Sequence, residues 1–181
     1  VTDSSAIELE PGLFRVIVLG EPVSWKRPEH NPRTGQTFVE ATTTRFRSVV
    51  REACRPIVDA PGFKLIEGPV ELGCQFYYPR PKGWARWQHE LADQGVLFFK
   101  PSGADLDNLF KGVQDAIQGV LIRNDRQVAS YGPSGKIYDT RPRVEIMLRL
   151  LQSEHDLRQV WLARQPPKKA KPALPLLELL P

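Results

Sequence analysis

Residues 105–120 read Asp105-Leu-Asp-Asn-Leu-Phe-Lys-Gly-Val-Gln-Asp-Ala-Ile-Gln-Gly-Val120. At about 100° per residue from Asp107, the apolar residues Leu109, Val113, Ala116, Ile117 and Val120 fall between about 180° and 280°. Phe110 sits at the edge of that arc, near about 300°. Asp107, Lys111 and Asp115 fall at about 0°, 40° and 80°, on the opposite side. The spacing predicts a helix with one packing face and one charged face, ending at Gly119, a residue suited to the position after a helix. Gly112 is unexpected inside it, because glycine costs about 1 kcal/mol there relative to alanine. A close backbone approach by DNA or a partner subunit is one reason to keep it.

Two readings fit the charged face. An Asp before a helix is often an N-cap, and Asp–Lys–Asp at i, i+4, i+8 is often a surface ion-pair ladder worth a few tenths of a kcal/mol. An N-cap needs only one carboxylate, however, and Asp105 and Asp107 flank this helix start together. Asp125 follows in the turn Arg123-Asn-Asp-Arg126. Three carboxylates near one helix start repel one another unless a cation sits among them, and hard oxygen donors suit Mg²⁺ or Mn²⁺.

Outward from this helix, 14–19 is β-branched and apolar, closes on Gly20, and reads as a buried strand. Residues 21–35 form a loop with Pro22, Pro28 and Pro32 among Lys26, Arg27, His30 and Arg33, and a short extended piece follows at 36–39. Thr42–Thr44 offers N-caps for a helix to about Arg55, with Phe46, Val49, Val50 and Ala53 as its apolar stripe. Arg47, Arg51 and Arg55 lie on another face, which is either solvated or tracks a phosphate backbone. Strands are expected at 70–78, 126–131 and 143–151, a short helix at 84–93, and an extended piece at 96–99. Strands outnumber the three helices without alternating with them, so the fold class is α+β. Residues 1–12 read as a loose acidic lead-in, 13–151 as the domain, and 152–181 as an extension with a mobile Pro/Lys-rich tail.

The chain has 181 residues, 41% hydrophobic and 25% charged, an ordinary single-domain composition. Its apolar runs are too short for a membrane span, and the polar start gives no secretory leader. Cys54 and Cys74 form no CxxC pair and no disulfide scaffold. His30, His89 and His155 share no ligand spacing. The net charge of +4 is compatible with nucleic-acid binding without requiring it.

Lys100-Pro101, the run Asp105-Leu-Asp-Asn-Leu-Phe-Lys111, Asp115, Gly119 and Asn124-Asp-Arg-Gln-Val128 together resemble the signature of the RusA-type Holliday junction resolvases, small endonucleases common in phages and prophages. The stretch Gly20-Glu-Pro-Val-Ser-Trp-Lys-Arg-Pro28 resembles that family's loop after its first strand. Lys136 with 144–150 resembles its closing hairpin. The resemblance implies a small mixed sheet with about three helices in an intertwined homodimer. It implies metal-dependent cleavage of four-way DNA junctions by symmetric paired cuts, in the cytoplasm of a bacterial host near the nucleoid. Asp105, Asp107 and Asp125 would hold Mg²⁺ (or Mn²⁺), and Lys111 would complete the catalytic set. Lys26, Arg27, Arg33, Lys100 and Lys136 would contact DNA. The sequence departs from the family in placing Ser102-Gly-Ala104 between Lys100-Pro101 and the aspartates, three extra residues that could re-aim Lys100 and need not move the aspartates.

Other roles stay open on the residues alone. Trp25 either stacks on an unpaired base or packs under its own loop. Trp84 and Trp87 belong to the core or to a subunit interface. Lys168, Lys169 and Lys171 add nonspecific DNA affinity or nothing. A nuclease for other branched or flap DNA, a non-catalytic branch-binding module and a phage structural accessory protein are the competing functions.

Overall fold

The computed structural model describes residues 5–26, 29–30, 32–38, 40–152 and 154–165. In chain order these form β1 (Ser5–Glu10), β2 (Leu13–Leu19), β3 (Glu29–His30), β4 (Thr37–Phe38), α1 (Ala41–Ala53), α2 (Arg55–Val58), β5 (Val70–Pro79), α3 (Arg86–Asp93) and α4 (Leu106–Ile117). A 3₁₀ turn, Asp125–Gln127, then leads into β6 (Val128–Tyr131), β7 (Gly135–Asp139), β8 (Arg143–Leu150) and α5 (Glu154–Ala163). The architecture is α+β, as the sequence implied, with a six-stranded mixed sheet.

The sheet runs β1-β2-β8-β5, and the far edge of β5 is shared by β6 and β7 in succession. The β1–β2, β2–β8 and β8–β5 pairs are antiparallel, and β6 and β7 run parallel to β5. Alternation dictates which face is covered. Phe14, Val16 and Val18 of β2 and Val144, Ile146 and Leu148 of β8 point into the core, while Arg15, Arg143 and Glu145 lie on the other face. Strand β5, with partners on both sides, buries Val70, Leu72, Cys74 and Phe76 completely. Helices α1, α2 and α4 cover this face, and α4 contributes Leu109, Phe110, Gly112, Val113, Ala116 and Ile117. The apolar arc read from the sequence is thus the buried face of α4. Truncating the fully buried Leu109 to alanine would cost about 2–5 kcal/mol.

Several expectations are corrected. The lead-in is not loose where described: Ser5–Glu10 pairs with β2 as an edge strand, with Ala6 buried. About three helices were expected, and the described residues form five. The additions are α2, a single turn between Cys54 and Asp59, and α5, inside the segment read as an extension. The closing hairpin is absent among the described residues, because β5 lies between β7 and β8 and pairs with both. No threonine caps α1: Glu40 occupies the N-cap position without a side-chain bond, and Thr43 is buried. The strand expected from 126 begins at Val128, because Asp125–Gln127 forms the 3₁₀ turn. The basic tail beyond 165 lies outside the described residues.

Candidate active site

Helix α4 starts where its sequence says it should, yet the first carboxylate caps nothing. Asp105 has an extended N-cap backbone (φ −68°, ψ 144°) and makes no side-chain cap bond. Asp107 stands in the first turn, where the helix dipole favours a negative charge. Both side chains are exposed, and among the described residues neither carboxylate has a hydrogen-bond or ion-pair partner. The capping explanation for the paired aspartates therefore has no support in the geometry. Asp107 also lines a cavity of about 330 Å³ with Leu106, Phe110, Tyr131 and Ser134.

Asp125 reaches this neighbourhood from a pinned turn. Asn124 accepts from the Arg126 N–H at 2.9 Å, and Gln127 accepts from the Asn124 N–H at 2.9 Å. The Gln127 amide donates to the Ile66 and Gly68 carbonyls at 2.8 and 3.0 Å. Lys111 Nζ lies 2.9 Å from Asp125 Oδ2 and 2.9 Å from Asp115 Oδ1. The hydrogen bonds that Lys111 donates, to Asp115 first and then to Asp125, push its ammonium above its ordinary value. The same ammonium holds the Asp125 carboxyl below the usual range. Repulsion at Asp125 is thus relieved by Lys111, and it is Asp105 and Asp107 that lack a counter-charge.

The donor set at the start of α4 consists of carboxylate oxygens without partners among the described residues, which suits a hard divalent cation. Among the described residues, no three Asp, Glu, His or Cys side chains gather into a ready-made metal cluster. The fit lies in donor chemistry, with Asp105, Asp107 and Asp125 on two adjoining elements.

The expected DNA-contacting bases separate into groups. Lys26 is exposed and bonds Glu40 at 3.0 Å. Arg33 is exposed, and Arg27 lies outside the described residues. Lys100 and Lys136 hold the inserted loop. Lys136 Nζ donates to the Ala104 and Ser102 carbonyls at 2.9 and 3.3 Å. Lys100 Nζ lies 5.3 and 5.4 Å from the Tyr78 and Tyr138 ring centres and reaches Ser102 Oγ at 3.5 Å. Lys100 thus lies against two tyrosines and the inserted loop.

The arginine series on α1 is neither a free solvated face nor a row aimed outward. Arg47 Nη2 meets Asp115 Oδ2 at 2.5 Å, and Arg51 Nε donates to the Ala116 carbonyl at 3.3 Å. Only Arg55 stays on its own surface, paired with Glu52. Arg47 was missed as a site neighbour because its partner lies 68 positions away. Gly112 faces the chain's own loop: a Cβ there would lie 3.5 Å from the Val23 carbonyl and 3.7 Å from Trp25 N, ordinary van der Waals contact that does not by itself require glycine. The Trp25 N–H donates to the Asn108 carbonyl at 3.0 Å, so the basic loop docks on α4 by its backbone. Trp84 packs among Phe98, Tyr138 and His89, whereas Trp87 is exposed. Cys54 and Cys74 are buried free thiols, and burial pushes the Cys54 thiol up to about 12. Among the described residues no helix is long and apolar enough to cross a membrane.

The family described as Endodeoxyribonuclease RusA matches residues 20–149, which contain all of β5, α4 and the Asp125 turn. Uncharacterized protein YqaN of Bacillus subtilis (strain 168) is 34% identical over 144 residues, spanning 75% of this chain and 95% of that protein. A match over most of the chain, with the acidic motif and its lysine inside it, shows that the chain belongs to the RusA endodeoxyribonuclease family.

Proposed function

We propose that the protein is a divalent-metal-dependent endodeoxyribonuclease that resolves four-way DNA junctions by paired cuts, acting as a homodimer. The observation that carries this reading is a pair of exposed carboxylates, Asp105 and Asp107, without partners among the described residues, beside a lysine held between two acids. A protein that only bound DNA would gain nothing from bare carboxylates facing phosphate. Asp105, Asp107 and Asp125 would hold the cation, Mg²⁺ or Mn²⁺. When bound, it would polarise the scissile phosphate and acidify a water.

The chain's own groups do the rest. Lys111 is partly exposed, so its ammonium can meet charge that develops on a phosphate oxygen. The doubly pinned 3₁₀ turn fixes Asp125 against α4. Lys26, on the loop docked at Asn108, offers a positive charge to the DNA backbone on the α4 side, and Arg27 and Arg33 would extend that surface. Two symmetric cuts require two such sites, and a twofold dimer matches the symmetry of a four-way junction.

The test uses a labelled synthetic four-way junction with Mg²⁺, beside flap and linear duplexes. Paired nicks in opposing arms are expected from the wild type, and Asp107→Asn should bind the junction without cutting it. Cleavage by the variant at the wild-type rate would refute the site assignment. Preference for flaps over junctions would refute the substrate.

A further inference from the structure

We propose that Arg47, on α1, is a positioning residue for Lys111 and acts on it through Asp115. The proposal rests on the nuclease reading of Lys111. It adds a residue that lies outside the acidic motif and comes from a different helix. Four charges alternate along one line: Arg47, Asp115, Lys111 and Asp125, joined at 2.5, 2.9 and 2.9 Å.

Asp115 uses both oxygens. Oδ2 takes the guanidinium and Oδ1 takes the ammonium, so the arginine fixes the plane in which the carboxylate faces Lys111. Asp115 is the most buried member of the line: its side chain is 16% exposed, against 28% for Arg47 and 40% for Lys111. At that depth an ion pair is screened far less than one on the open surface.

A four-carbon lysine stem has no fixed direction of its own. If Lys111 leaves Asp125 for a phosphate oxygen, Asp115 is the anchor that remains, and Arg47 holds that anchor still. Arg47 Nε is buried with no hydrogen-bond partner among the described residues. Such an orphan is a cost that a side chain free to turn would relieve, which marks this rotamer as held in place. An arginine serving only to tie α1 to α4 would need Asp115 but would not need Asp115 to share its other oxygen with Lys111.

Two measurements on the full chain test the proposal. In single-turnover cleavage of a four-way junction at saturating protein, Asp115→Asn should slow the cutting step by about 10-fold to 100-fold. Arg47→Met should act in the same direction, and Arg47→Lys should recover part of the rate. Junction affinity measured in EDTA should stay within about twofold of wild type in each variant, since the groups removed face inward. The double variant Arg47→Met/Asp115→Asn should be no slower than Asp115→Asn alone, because the two act in series.

The second measurement needs no cleavage. In a ¹⁵N-lysine ammonium spectrum, with the Lys111 signal assigned by its loss in Lys111→Arg, Arg47→Met should shift or broaden that signal while other lysines stay put. An unmoved signal, a wild-type cutting rate, or a loss confined to junction affinity would each overturn the proposal. A wild type that cuts no junction would fail the nuclease reading alone, and the ammonium spectrum would still decide whether Arg47 positions Lys111.

Discussion

Two lines of alternating charge cross this molecule, and they are built from the same residue types to different ends. On the open face of the sheet, Arg15, Glu145, Arg143 and Asp139 form a closed network. Glu145 takes Arg15 at 2.7 Å on one oxygen and Arg143 at 2.7 Å on the other, and Arg143 also bonds Asp139 at 2.5 Å. The Arg143 guanidinium lies 3.6 Å from the Tyr77 ring centre, and Asp139 accepts from the Thr140 backbone. Every charge in that group is answered. Between α1 and α4, Arg47, Asp115, Lys111 and Asp125 alternate in the same way, but the line ends at a partly exposed lysine. Beside it stand Asp105 and Asp107, which nothing among the described residues answers. A saturated network stabilises its own element. A network with an open end leaves charge available for something outside the fold, and that separates structure from chemistry here better than the count of charges does.

The sharpest way to break this contrast is to neutralise one acid in each network. Asp107→Asn should lower junction cleavage by about 100-fold or more. It should leave the unfolding midpoint nearly unchanged, since relief of repulsion with Asp105 offsets the lost interaction with the helix dipole. Glu145→Gln should do the reverse: cleavage retained, and stability lower by about 1–3 kcal/mol, because two arginines lose a charged acceptor. Urea unfolding at constant slope checks the second half. Loss of stability in Asp107→Asn would show that its carboxylate has a structural partner after all.

Acid should find the closed network next. Burial alone would raise the Glu145 carboxyl, but the Arg143 and Arg15 bonds outweigh it and hold it below its ordinary 4.5. Asp139 is likewise held below 3.8, with burial opposed by Arg143 and the Thr140 N–H. For a carboxyl lowered by folding, the unfolded chain takes up its proton first as pH falls. The stability these two contribute is therefore complete above about pH 4.5 and declines as pH falls through their lowered values. Glu145→Gln should flatten that part of a stability-against-pH profile. An unchanged acid slope would mean that the network carries no net free energy.

The sequence makes the helix of the acidic motif legible because everything that specifies it is local. The apolar arc, the paired aspartates and Gly119, which takes the left-handed φ of 73°, all lie within sixteen positions. Strands β2, β5 and β8 are legible for the same reason, by alternation or by continuous apolar character. What stays hidden depends on distant partners. Arg47 looks like one rung of a surface series until α1 is laid against α4. The edge strand β1 carries Glu8 and Glu10 and looks like an acidic lead-in until β2 pairs with it. The supposed closing hairpin fails because a parallel strand's neighbour is set by the whole sheet, and adjacency in sequence suggested otherwise.

The smallest effect concerns Gly112, where two explanations give opposite signs. If glycine is there because DNA or a second subunit must approach the helix, adding a methyl group will harm binding and leave the isolated chain alone. In the structure this side of α4 meets the chain's own loop, which leaves room for a methyl group. The nearest atoms to an added Cβ would be the Val23 carbonyl at 3.5 Å, Trp25 N at 3.7 Å and Phe46 Cε1 at 3.8 Å, all ordinary van der Waals distances within the chain. Gly112→Ala should therefore fit and stabilise α4 by up to about 1 kcal/mol through helix propensity. Gly112→Leu cannot fit, and should lift the Val23–Trp25 segment from α4, breaking the bond from Trp25 N–H to the Asn108 carbonyl. That loop carries Lys26, so the leucine variant should lose stability and junction affinity together, while the alanine variant keeps both. Weaker junction binding by a fully folded Gly112→Ala would show that the methyl group meets something the chain itself does not supply, and would return the open end of the charge line to a partner's surface.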